Sequence, residues 1–322
     1  MSTKHRKPGA PARVGAQSFA RSQGQFRNDE GEAGSRFVYA PYHKEAAHAS
    51  IIAISYLVEL LGTLFFALCV NMARFSLTGS AEPFIGGALL GVVAAASYYL
   101  ATGWRLNGPK LGELPHHCSW SVTIGYIATF RTGVLPGLGY FAMQTIGALC
   151  AGGILYFFGA GVVPTPALAN QNQTWFIEIV APALIVFNIL FNHMIGSEVA
   201  DENEHVRKGH AFGAGTRFLL TAILYQWQGY SFDHVVYFAG FIGLCSGGTC
   251  VTDMPFNNAP VFYQLVPILG ALVGVALYFI IMLLYSLVGS DNDGVHKLGK
   301  RIRTSIQSSQ TRPDDLIDTK HI

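Results

Sequence analysis

Gly147-Ala148-Leu149 returns 123 residues later as Gly270-Ala271-Leu272, and Leu155-Tyr156-Phe157 returns 122 residues later as Leu277-Tyr278-Phe279. Ahead of each stands a second matching pair, Glu59 in Glu-Leu-Leu-Gly and Glu178 in Glu-Ile-Val-Ala, 119 residues apart. Self-similarity at a nearly fixed offset decides architecture before any short motif does, and here it divides the chain into two copies. Both lie in an apolar background. Runs of about twenty apolar residues, enough to cross a hydrocarbon layer of roughly 30 Å, fall at 51–73, 83–103, 135–158, 175–195, 211–230 and 261–288. Two shorter runs, 119–129 and 233–245, are left over. Three spans per copy is an odd number, so the second copy enters the membrane from the opposite side and the repeats are inverted. The short runs cannot cross alone and read as re-entrant pieces, whose non-helical flanks must be buried in protein or line a cavity. Inverted repeats with interrupted segments at matching places put a permeation or binding site near mid-membrane, where half-helices point their positive N-terminal ends inward.

Composition agrees with a polytopic membrane protein. Of 322 residues 51% are apolar and only 12% charged, with mean hydropathy +0.35, whereas an ordinary soluble domain is about a quarter charged. A disordered or nucleic-acid-binding chain is excluded. With the N-terminus in the cytosol, twenty of the twenty-one basic residues fall inside, Arg105, Lys110, Arg131, Arg207, Lys208 and Arg217 counted with those of the two tails, and Arg74 alone falls outside. That asymmetry places both termini in the cytoplasm. The stretches 1–50 and 289–322 are polar and read as disordered cytosolic tails around a membrane domain at 51–288, with repeat 1 at 51–158 and repeat 2 at 175–288. The first fifty residues contain no apolar core of a signal peptide. The uncharged outer loop 159–174 carries Asn172-Gln173-Thr174, a candidate glycosylation acceptor.

Carboxylates inside a membrane are costly, and they mark function or a buried partner. For Glu59 and Glu178 the repetition favours a structural role, in which each accepts hydrogen bonds from the re-entrant backbone of its own half. Gly87/Gly91, Gly209/Gly213, Gly270/Gly274 and Ala148/Gly152 have the small-residue spacing of close helix contacts in lipid. His116-His117-Cys118 are neighbours on one loop, too close in sequence to converge on a single ion, and no metal site is expected. No CxxC is present. Cys245 and Cys250 stand five apart on the proposed outer side, where either a disulfide or two free thiols fit. The inner stretch from Glu198 to Lys208 has mixed charge and reads as a solvated loop.

Taken in order, Glu59-Leu60-Leu61-Gly62-Thr63, His117 ahead of Val122-Thr123-Ile124-Gly125, Gln144 with Gly147-Ala148, Glu178, and Pro267-Ile268-Leu269-Gly270-Ala271 resemble the aquaporin, or major intrinsic protein, family over roughly residues 50–288. The resemblance implies an all-α membrane fold: a six-span bundle with two re-entrant half-helices, assembled as a homotetramer in the lipid bilayer with one pore per subunit. It also implies passive passage of water or a small neutral solute, with no cofactor, no nucleic-acid partner and no enzymatic chemistry. His117 falls at a loop position that supports the pore.

The family's signature is an Asn-Pro-Ala triad at the start of each half-helix, and this chain contains none. The first triad position falls on Ser119-Trp120-Ser121, where Ser119 is a candidate N-cap and Trp120 either plugs a lumen or packs. The second position has two registers. One puts Asp233-His234-Val235 at the triad and Val236 at the position of the family's filter arginine; the other puts Thr252-Asp253-Met254 there, followed by Pro255. The first fits the repeat offsets better and leaves 211–230 as a full span. In both registers the filter arginine is replaced. An ionised Asp233 at the pore centre would offset the positive dipole end, so proton and cation exclusion is expected to be built differently here. A non-conducting structural protein on the same scaffold is the alternative function.

Overall fold

The computed structural model describes residues 49–77, 82–103, 116–161, 171–195, 202–228, 232–245 and 259–288. The proposed tails, the second register at 252–255 and the inner residues Glu198 and Asp201 lie outside the described residues. All described residues fall in one compact unit. They form helices only: α1 (Ala49–Leu77), α2 (Pro83–Gly103), α3 (Trp120–Ala128), α4 (Val134–Phe157), α5 (Gln171–Ile195), α6 (Glu202–Gln228), α7 (His234–Cys245) and α8 (Ala259–Val288). Five of the long helices are apolar and long enough to cross a membrane. The sixth, α6, is more polar because its first two turns hold Glu202, Glu204, Arg207 and Lys208 and its middle holds Arg217. The chain is an integral, multi-pass membrane protein.

The two short helices, of 9 and 12 residues, match the short apolar runs, and each sits between long helices at the same place in its half. In the first half α1 packs on α2 and α4; in the second, α5 packs on α6 and α8; α2 and α6 join the halves. Each half-helix leans on the closing helix of the opposite half, α3 on α8 and α7 on α4. In lipid no hydrophobic force draws apolar helices together, so close contact of small residues does that work. A Cβ on Gly147 of α4 would sit 2.6 Å from the Leu60 carbonyl oxygen of α1, and a Cβ on Gly270 of α8 would meet the Ile179 carbonyl oxygen of α5. Gly147 and Gly270 are 123 residues apart and Leu60 and Ile179 are 119 apart, so the repeat in sequence is a repeat in contacts. A central cluster draws Phe66, Tyr98, Val122, Ile189 and Val235 from both halves into one core.

Candidate functional site

The first half-helix is aimed by a carboxylate. Glu59, on α1 and fully buried, accepts the backbone N–H of His117 at 3.0 Å and of Cys118 at 2.6 Å, and its Oε1 also accepts from Gln144 Nε2 of α4 at 2.6 Å. Cys118 has φ of 49°, a left-handed conformation that costs a non-glycine residue about 1–3 kcal/mol and persists only where its surroundings hold it. Glu59 is that hold, and one turn along α1 Gly62 leaves room for the thiol: a Cβ there would be 3.0 Å from Cys118 Sγ. The Glu-x-x-Gly spacing therefore sets the re-entrant turn. Thr123 Oγ1 accepts from Gln144 Nε2 at 2.9 Å and lies 3.0 Å from His117 Nδ1, and the His117 ring stacks on Tyr126 at 4.5 Å. At the far end the Phe130 N–H bonds to the Ile127 carbonyl and the Arg131 N–H to the Tyr126 carbonyl, with Phe130 at φ of 57°. That pattern closes a helix sharply.

Ser119 occupies the N-cap position of α3 with extended backbone, but its side chain makes no capping bond, a correction to the role read from its residue type. The Ser119 side chain lies beside the Asp233 carboxylate. Trp120 stacks on His234 with ring centres 5.2 Å apart and meets Phe141 edge-on at 5.8 Å. The two half-helices thus touch N-terminus to N-terminus through Ser119 with Asp233 and Trp120 with His234. Ser121 Oγ reaches the Pro267 carbonyl of α8 at 3.4 Å.

The second half-helix begins at Asp233. Its Oδ1 accepts the Val235 N–H at 3.3 Å, and its backbone carbonyl accepts the first helical bond from Tyr237. Its Oδ2 accepts from Arg217 Nη2 of α6 at 2.6 Å, and both side chains are 1% exposed. The Arg217 guanidinium lies 3.7 Å from the Tyr98 ring centre on α2 and 5.4 Å from that of Phe66 on α1. Arg217 is therefore not an inner-loop base, as the charge count took it to be, but a mid-helix side chain buried against the half-helix. The premise that Asp233 faces the dipole ends alone is corrected with it, because an opposite charge stands in contact. Burying one such ion without a partner costs several kcal/mol, and the pair with its stacked ring removes most of that penalty. One signal in sequence pointed here: a single charge amid the apolar run 211–230.

Val236, read from the sequence as the residue at the filter position, is fully buried, and its carbonyl accepts from Asn71 Nδ2 of α1 at 2.9 Å. Glu178 is fully buried beside Tyr237 and Tyr263. Asn172 is the second residue of α5, and Thr174 of its acceptor pattern is buried. Cys245 is disulfide-bonded while Cys69, Cys118 and Cys150 are free; Cys250 lies outside the described residues. Among the described residues no three His, Cys, Asp or Glu side chains are placed to hold a metal ion. Where the half-helices meet, Ser119, His234, Tyr98 and Phe66 are 0% exposed.

No family model matches the sequence. Over 142 residues, 41% of the chain and 41% of the relative, it is 31% identical to aquaporin NIP3-1 of rice, Oryza sativa subsp. japonica. Over 145 residues, 42% of the chain and 50% of the relative, it is 26% identical to aquaporin C of Dictyostelium discoideum. The chain thus matches half or less of these relatives' lengths. Among solved structures, the aquaglyceroporin from Plasmodium falciparum superposes with a TM-score of 0.54 at 15% identity, over 70% of this chain and 93% of that one, a likeness of fold. The chain is thus similar to aquaporins over part of its sequence and to an aquaglyceroporin in fold.

Proposed function

We propose that the protein is a passive membrane channel for water or a small neutral solute, working without cofactor or covalent chemistry. One observation carries this reading: two half-helices from opposite halves meet N-terminus to N-terminus inside the helical bundle, through Ser119, Trp120, Asp233 and His234. Such a junction directs two positive dipole ends at one point, which disfavours cations and leaves neutral solutes as the permeating class. The names of its relatives, aquaporins and an aquaglyceroporin, support the same class of solute. In this reading Ser119-Trp120-Ser121 and Asp233-His234-Val235 stand at the two triad positions and Val236 at the filter position. Glu59, Glu178 and His117 support the re-entrant loops. Residues 51–288 form the channel domain between cytosolic tails at 1–50 and 289–322. A homotetramer with one pore per subunit follows from the family likeness.

The full burial of Ser119, His234, Tyr98 and Phe66 where the half-helices meet favours a second reading, a non-conducting structural protein on the same scaffold. Stopped-flow shrinkage of proteoliposomes holding the purified full chain separates the two. Osmotic water or solute permeability above that of protein-free vesicles supports the channel, and permeability equal to theirs supports the scaffold.

A further inference from the structure

Arg217 has no place in the channel reading so far, although it is the largest fully buried side chain among the described residues. We propose that the Arg217–Asp233 pair is the pore's selectivity constriction, set at mid-membrane where the half-helices meet, so that a residue of α6 supplies the cationic group that Val236 does not. The inference rests on the channel reading and deepens it.

Five elements converge on the pair. Phe66 comes from α1, Tyr98 from α2, Ser119 from the start of α3, Arg217 from α6 and Asp233 from the start of α7. These are the walls that would bound a lumen at this level, and their side chains fill it. A guanidinium stacked at 3.7 Å on one ring and bonded at 2.6 Å to a carboxylate is held in one place, which a flexible ammonium would not be. The ion pair is neutral as a unit, so the two half-helix N-termini keep the junction positive and a cation is repelled as well as stripped of water. A neutral solute passes only by displacing the guanidinium, and the space vacated admits water before anything larger. The pair thereby sets size selectivity, while the half-helix N-termini repel cations.

The test uses proteoliposomes of the full chain carrying wild type, R217A/D233N or R217M/D233N, with osmotic water permeability and glycerol entry as readouts. R217A/D233N removes both charges together and empties the waist; it is expected to raise water permeability about ten-fold over wild type and to admit glycerol. R217M/D233N refills the volume and is expected to stay within about two-fold of wild type on both readouts. Tyr98→Ala, which removes the ring beneath the guanidinium and leaves the ion pair intact, is a second route should R217A/D233N not elute like wild type. It is expected to raise water permeability about three-fold, and no change would overturn the proposal. The proposal is also overturned if R217A/D233N elutes like wild type but is no faster, or if R217M/D233N opens as far as R217A/D233N. A wild type faster than empty vesicles with unchanged variants sinks the constriction and keeps the channel. A wild type as slow as empty vesicles beside a fast R217A/D233N overturns both the native channel reading and the selectivity role, because the pair then blocks the passage outright. No flux in any preparation overturns both.

Discussion

The two half-helices occupy equivalent places in an inverted repeat, yet they are held by different chemistry. The first starts at a neutral Ser119 whose side chain caps nothing, and its position is set from behind, by Glu59 accepting the N–H groups of His117 and Cys118. The second starts at Asp233, whose carboxylate both bonds the Val235 N–H and meets Arg217 at 2.6 Å. The first junction is thus a backbone problem solved by one buried acceptor. The second is a charge problem solved by one buried pair. The contrast shows that a duplicated scaffold constrains helix packing more tightly than it constrains the groups at the helix starts, where one half has become polar and neutral and the other ionic.

Substitutions at the two starts should therefore separate widely. Asp233→Ala leaves the Arg217 charge buried without its partner and is expected to cost about 3–5 kcal/mol, read as thermal unfolding in detergent, with R217M/D233N recovering most of the loss. If the single and double variants lose stability additively, the pair is not a unit and the contrast between the halves fails. Next in size is Glu59→Gln, which sets one oxygen and an unwanted amide donor against three N–H donors. A loss of about 2–3 kcal/mol is expected, together with faster labelling of Cys118 by a thiol reagent as the left-handed turn loosens. Unchanged Cys118 labelling would mean that Glu59 does not hold that turn.

Where the halves agree, effects should agree. Gly147→Val and Gly270→Val each force a branched side chain against a carbonyl of the neighbouring helix, and each is expected to cost about 1–3 kcal/mol, within about 1 kcal/mol of one another. A neutral result at one site alone would show that the repeated contact is repeated in sequence only. The smallest effect is expected at Ser119→Ala, within about 0.5 kcal/mol, because no capping bond is lost. A loss as large as that of Asp233→Ala would equate the two starts.

Much of this architecture was legible in the sequence. The runs at 83–103 and 119–129 correspond to Pro83–Gly103 and Trp120–Ala128, and 233–245 to His234–Cys245, because apolar length and flanking polar residues report the membrane boundary directly. The helix read at 211–230 begins earlier, at Glu202, since charged residues outside the bilayer continue a helix that hydropathy alone cannot follow. Glu59 was legible as a loop anchor through its repetition. Arg217 was not legible as a partner of Asp233: the two are sixteen residues apart on separate helices, and no periodicity links them. Counting charge by loop placed Arg217 in an inner loop rather than in mid-helix, since that count carries no term for a base paired inside the bundle.

The waist is where channel and scaffold part, and an experimental density map of the full chain in lipid nanodiscs, at a resolution that shows side chains, tests it most directly. It should show continuous density from Arg217 to Asp233, the Tyr98 ring stacked beneath the guanidinium, and no water-filled passage beside Ser119. Arg217 turned toward lipid or the aqueous phase, with an open column of water running between the starts of α3 and α7, would contradict it.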